Sequence, residues 1–457
     1  MEIKGKHTNT DYLEKDNIAK LLFSYSLPAI LAMTAVSFYN IIDRIFIGQG
    51  VGPLAISGLA ITFPLMNLSA AFGALVSSGA STMISIRLGE KKPASAMRFL
   101  GNAFTINIII GLLLSVFGLI FLDRLLLLFG ATTETLPYAR DFMQIILIGN
   151  IFTHLCIGLN NILRSSGYPV KAMITTLITV VCNLALAPLF IFVFKWGIKG
   201  AAWATVIAQI IGTIRVVFHY LDKNNNVYFR KRYLRIKWAI CGKIITMGMS
   251  SFLVNLCACI VVIIINRSLI KYGSVFAVGA YGIVNSIVSL IVLLVFGFNL
   301  GMQPLAGYNY GAKKYDRTLT ILKYSLFVAT SITTFGFLLG ILFPEPLARA
   351  FTSDNELIEL TVNGMRITVL AFPIVGCQVV ASNFFQAVGK PKISIFLSLS
   401  RQVLCLIPAL LIFPRFFGIN GVWYSLPFAD LTASIFAIIV LIFNSSKIKK
   451  TINISKT

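Results

Sequence analysis

LLFSYSLPAILAMTAVSFYNIIDRIFI, residues 21–47, follows Lys20 and carries no charge until Asp43 and Arg44. The hydrocarbon core of a bilayer is about 30 Å thick and is crossed by about 20 apolar residues in helix. This stretch is therefore a membrane span, and the fold follows from how often the chain repeats it. Its anomaly is the carboxylate near its end. A charge at the centre of such a helix costs roughly 2.5–3.5 kcal/mol on insertion scales, so it is kept for a reason.

The whole chain has the same character. Its 457 residues are 57% hydrophobic and only 12% charged, with a mean hydropathy of +0.86. Soluble domains are about 25% charged, so one large water-soluble core is excluded. The net charge of +23 is not a nucleic-acid signal, because the basic residues fall in the short gaps between apolar runs. The polar N-terminus has no apolar core ending in a small-residue cleavage site, so it does not read as a cleaved leader. Seven cysteines occur without a CxxC pair; they read as small buried hydrophobes, and neither disulfides nor a metal site is expected.

About twelve helices fit between residues 21 and 443. Alternate loops carry the basic clusters: Arg87, Lys91, Lys92 and Arg98; Lys171; the stretch from Lys223 to Lys237; Lys313, Lys314 and Arg317; Lys390 and Lys392. The positive-inside rule then places both termini in the cytoplasm of a multi-pass cell-membrane protein. The expected organisation is an N-terminal six-helix lobe (1–221), a basic cytoplasmic linker (222–243), a C-terminal six-helix lobe (244–443) and a cytoplasmic tail (444–457).

The two lobes are repeats. The tetrapeptide starting at Gly89 (GEKK) returns at Gly311 (GAKK), 222 positions on. At the same offset Phe129 matches Phe351, Met143 matches Met365, Asn161 matches Asn383, and Gly167-Tyr-Pro169 matches Gly389-Lys-Pro391. An even number of spans per repeat makes the halves parallel, related by an axis along the membrane normal. In such proteins one half rocks against the other around a site near the midplane.

Four stretches carry a family resemblance: YNIIDRIFIG (39–48), GMQPLAGYNYGAKK (301–314), NFFQAVGKPK (383–392) and LSLSRQVLCLIPALLIFP (397–414). They resemble the multidrug and toxic compound extrusion (MATE) family, and within it the MepA-like or DinF-like branch. The resemblance runs through almost the whole chain. It implies an all-α membrane protein with two six-helix lobes in a V. It also implies export of amphipathic or cationic drugs, driven by inward protons or sodium ions; separately, a monomer without a cofactor is expected. The other common twelve-helix architecture would carry a GxxxDRxGRR-like loop after helix 2, where this chain reads RLGEKKPASAMR.

Asp43 and Asp430 are the two acidic residues well inside expected spans. Asn40 and Asp43 are three apart and so are expected on one helix face. Low-dielectric surroundings disfavour a charged carboxyl, which prepares a cavity-facing Asp43 to exchange a cation. In the resembled branch an aspartate at this place couples the ion. The branch pattern NxxLDP reads NLALAP at 183–188, which keeps Asn183 but has Ala187 where a second aspartate often stands. Asn160 and Thr205 match polar ligands of the family. Helix 4 adds Asn150, His154, Asn161 and Ser165 as a polar stripe, and imidazole titrates in the range that suits proton traffic. In the second half Ile265, Gly376 and Cys405 align with Asp43, His154 and Asn183, so coupling is assigned to the first lobe. Arg401 and Asp430 lie at depths about 6 Å apart at 1.5 Å per residue. They are expected either to pair or to line the drug cavity.

Other functions fit less well. A flippase for lipid-linked pyrophosphate needs more deep cations than Arg267, Arg366 and Arg401. Enzymatic chemistry needs clustered acid, base or nucleophile; HExxH, GxSxG and paired carboxylates do not occur, and the three histidines are scattered. A channel would show a charge ring or a carbonyl filter.

Overall fold

In hydrocarbon every backbone N–H and C=O must be satisfied within the segment, which leaves the helix as the solution for runs like 21–47. The computed structural model describes residues 12–273 and 275–456, with side chains to Asn444; His7 and the side chains of the basic tail lie outside these. Among the described residues there are twelve helices long and apolar enough to cross a membrane, and no strand. The all-α polytopic architecture expected from hydropathy is the one found. The spans are α1 (Ile18–Gly50), α2 (Pro53–Gly89), α3 (Pro93–Ile120), α4 (Leu136–Ser165), α5 (Pro169–Val193) and α6 (Gly197–Leu221). After the linker come α7 (Trp238–Tyr272), α8 (Phe276–Gly311), α9 (Tyr315–Leu342), α10 (Asn355–Ala387), α11 (Pro391–Phe417) and α12 (Ile419–Asn444).

The chain divides into two compact units. One holds Leu27–Phe252 with the segment up to Asp16; the other holds Asn17–Ser26 with the chain from Leu253 onward. In the first unit α4 is central, packing on α2, α3, α5 and α6. In the second, α10 takes that place against α8, α9, α11 and α12. Both central helices have 61% of their apolar window buried, against 28–44% for the other ten. A lipid-facing helix keeps its outer face apolar, so burial inside the protein marks these two as the cores of their units.

The turns repeat with the helices. After α2, Lys91 N–H bonds to the Leu88 carbonyl and Lys92 N–H to that of Arg87. The same pair of bonds closes α4 at Gly167 and Tyr168, α8 at Lys313 and Lys314, and α10 at Gly389 and Lys390. The first residue of each pair is left-handed, with φ of 58°, 101°, 59° and 77° respectively. This double bond to the last turn satisfies helix-end carbonyls that would otherwise be orphaned. The 222-residue offset thus recurs in backbone geometry as well as in sequence.

Local sequence also explains two irregular turns. Pro188 cannot donate a helix bond, and a π-helical turn, Leu189–Val193, follows it. A second π turn, Ser400–Leu406, precedes Pro408 and carries Arg401. Such bulges re-aim side chains and are frequent at functional sites.

Candidate functional site

Asp43 lies on α1 one turn before Ile47. Ile47 is fully buried in an apolar cluster with Ala187, Phe190, Ala201 and Ala202. Asp43 itself is only 8% exposed. Its neighbour Arg44 makes no ion pair with it; the guanidinium sits 4.8 Å from the centre of the Phe63 ring instead. The carboxylate therefore enters the protein while the cation is turned aside.

The side-chain donors of Thr205, Asn183, Asn160 and Thr176 are already used. Thr205 Oγ1 donates to the Ala201 carbonyl at 3.1 Å, and Asn183 Nδ2 donates to Thr205 Oγ1 at 3.0 Å. The Tyr39 hydroxyl, one turn before Asp43, also meets Thr205. On α4, Asn160 Nδ2 donates to Thr176 Oγ1 at 2.9 Å, and Thr176 donates onward to the Ala172 carbonyl. What remains is a set of acceptors. Asp43 Oδ1, Asn183 Oδ1 and Asn160 Oδ1 are each buried without a donor. A buried unsatisfied acceptor costs about 1–3 kcal/mol, more when charged. One carboxylate oxygen and two amide oxygens in need of positive charge suit a proton or an alkali cation.

The other expected residues lie elsewhere. Asn40 is exposed and has no hydrogen-bond partner among the described residues. Spacing by three leaves an offset of about 60° around the helix, and here that offset turns Asn40 away from buried Asp43. Asn161 is half-buried and accepts from Arg164 Nη1 at 3.2 Å. His154 sits in a separate seam, where Ser69 Oγ bonds both His154 Nε2 (3.0 Å) and Asn150 Oδ1 (2.8 Å). The stripe along helix 4 is thus divided among different neighbours.

Sequence reading missed Tyr39, Thr176, Ser69 and Arg164. Tyr39 shares a face with Asp43 at four-residue spacing, and Thr176 shares one with Asn183 at seven, so periodicity held a signal for both. Arg164, only 6% exposed, passes in sequence for a loop cation. Ser69 has no distinguishing signal.

In the second unit Arg401 Nε donates to Asp430 Oδ1, and Asp430 is 3% exposed. The pair lines a cavity of about 200 Å³ with Tyr281, Asn285, Thr368 and Gln402. The ion pair is thus formed, and it borders this cavity. The Gln402 side-chain oxygen is buried and unpartnered.

Comparison with known proteins covers most of the chain. The MatE family pattern matches residues 28–189 and 247–411. A relative from Staphylococcus haemolyticus, "Multidrug export protein MepA", is 25% identical over 432 residues, covering 94% of each chain. A solved structure of the "MATE multidrug transporter DinF-BH" is 37% identical, with a TM-score of 0.87 over 96% of this chain and 98% of that one. Another, "Crystal structure of MATE in the bent conformation", aligns at TM-score 0.92 and 22% identity over 98% and 99%, a likeness of fold.

Proposed function

The chain belongs to the MatE family and is a multidrug efflux transporter, not an enzyme; from this premise we propose that it exports amphipathic or cationic drugs by exchanging them for an inward monovalent cation. Transport proceeds by alternating access, with both termini and the 222–243 linker in the cytoplasm, as the basic loops direct. The six-helix lobes 1–221 and 244–443 are its working halves, and it acts as a monomer in the cell membrane.

Asp43 is the coupling residue. It binds the cation with the oxygens of Asn183 and Asn160, while Tyr39 and Thr205 hold the surrounding donors in place. An antiporter needs an ion whose affinity differs between its two states. A buried carboxylate outside any ion pair meets that need, because filling it changes the charge of the first unit. The observation that carries this reading is the buried Asp43 Oδ1 without a donor; the side-chain oxygens of Asn183 on α5 and Asn160 on α4 are buried without donors as well. Asn40, exposed on α1, belongs to the approach to this site, and Asn161 and His154 support α4 behind it.

The test is drug efflux from proteoliposomes under a pH gradient and a sodium gradient imposed separately. One gradient is expected to drive efflux in the native chain, and Asp43→Asn is expected to lose the response while remaining folded. Undiminished gradient-driven efflux by that variant would refute the assignment. The gradient that works identifies the ion.

A further inference from the structure

The linker between α6 and α7 is basic well beyond what orientation requires. Across 222–243 it has seven cations and one acid, Asp222, whose carboxylate accepts from Asn224 N–H. Lys231, Arg232, Arg235 and Lys237 are exposed, as is Arg98 on the adjoining end of α3. None of these five is in an ion pair among the described residues. A charge signal for topology acts while the chain inserts and needs no folded loop. This loop is folded.

Its fixings are specific. Asn102 on α3 clamps it twice, donating to the Tyr233 carbonyl at 3.3 Å and accepting from Lys237 N–H at 2.8 Å. Thr105 donates to the Leu234 carbonyl at 2.8 Å. Gly101 lets the loop approach, since a Cβ there would lie 2.3 Å from the Tyr233 oxygen. Upstream, Val227 is fully buried and Phe229 packs on Phe104 with ring centres 5.0 Å apart. The 3₁₀ turn Lys231–Tyr233 places the Tyr233 ring against Arg98, 5.5 Å from its guanidinium carbon, while Lys231 and Arg232 stay exposed. The cations are held by the backbone in one arrangement, so a ligand meets them without first ordering the loop.

The neighbouring apolar groups indicate which ligand. Trp238, the first residue of α7, is 84% exposed, and Ile236 is 37% exposed. An indole at the end of a span is the side chain that settles at the headgroup level of a bilayer. Guanidinium groups beside it match phosphate oxygens, and basic segments next to a span attract anionic lipid. We propose that residues 231–238, together with Arg98, form a binding site for anionic phospholipid headgroups, which ties this face of the first unit to the bilayer surface. Neither the Asp43 site nor the direction of transport enters this argument.

The test uses the full chain in bilayers containing brominated lipid, with Trp238 emission isolated by difference from Trp238→Phe. Brominated phosphatidylglycerol at low salt is expected to quench Trp238 more than brominated phosphatidylcholine at equal content. The joint variant K231Q/R232Q/R235Q/K237Q is expected to lose that preference, by roughly fivefold in headgroup association per cation removed. Because neutralisation also alters insertion, a second set, K231R/R232K/R235K/K237R, keeps the charge and is expected to keep the preference. Equal quenching by the two lipids, a preference that survives neutralisation, or its loss in the charge-keeping set overturns the proposal. So does displacement by free inorganic phosphate at matched ionic strength, which would assign the site to a soluble anion.

Discussion

The two units share their helix order, their turns and their central helix, yet treat a buried carboxylate in opposite ways. In the first, Asp43 makes no ion pair among the described residues, and its Oδ1 is buried without a donor. In the second, Asp430 is bound to Arg401. An ion pair closes one site, and the lack of one leaves the other open. The same helix order therefore accommodates a buried carboxylate with or without an ion-pair partner.

The largest expected effect breaks the open site. Asp43→Asn keeps the shape of the side chain and removes the exchangeable charge, so gradient-driven efflux is expected to fall to background with little change in thermal stability. Next comes the closed site. Asp430 is buried, whereas the Arg401 side chain is 35% exposed, so removing Arg401 costs less than the ~3–5 kcal/mol of a fully buried pair; Arg401→Met is still expected to lower the melting temperature of detergent-solubilised protein. The double variant R401M/D430L removes both charges and is expected to recover most of that loss. If the single and double variants melt alike, the contrast between the units fails.

A third change makes the first unit less like itself. Ala187 is fully buried, beside Phe190 and Ile47, one turn after Asn183. Ala187→Asp is expected to add a second exchangeable carboxylate, seen as a steeper pH dependence of efflux, at some loss of stability because the cluster is apolar. The smallest effect lies in the α2–α3 turn. Burial there opposes the charged form of Glu90, but hydrogen bonds from Lys92 and Arg87 outweigh it and hold the carboxyl below the usual glutamate range. A lowered native pKa contributes stability above the unfolded value and loses it as pH falls through the folded one. Glu90→Gln is thus expected to melt slightly lower at neutral pH, with the gap closing in acid.

Much of this was legible in sequence, for physical reasons that differ by feature. The spans were readable because lipid demands long uncharged runs, and the repeat because turn residues such as Gly167 and Gly389 answer a backbone need that tolerates few substitutes. Asp43 was readable because a carboxylate is conspicuous among Ile and Phe. Its surroundings were not. A helix surrounded by lipid on one side and protein on the other is apolar all round, so periodicity fixes which residues share a face but not which face looks inward. Spacing alone therefore groups Asn40 with Asp43, and His154 with Asn161. The loss of standard helix geometry at Ser400–Leu406, which sets where Arg401 points, left no mark beyond Pro408.

The doubly bonded turns at Lys91, Gly167, Lys313 and Gly389 have a bearing on biogenesis. Each joins two spans through a short link that bonds back to the last turn of the preceding helix, so α2–α3, α4–α5, α8–α9 and α10–α11 are helical hairpins whose bend is made locally. Such hairpins suit entry into the bilayer in pairs during synthesis, two crossings at a time. A bulky side chain forced onto Gly167 or Gly389 would then register as poor yield of assembled protein, while the molecules that do mature pump normally.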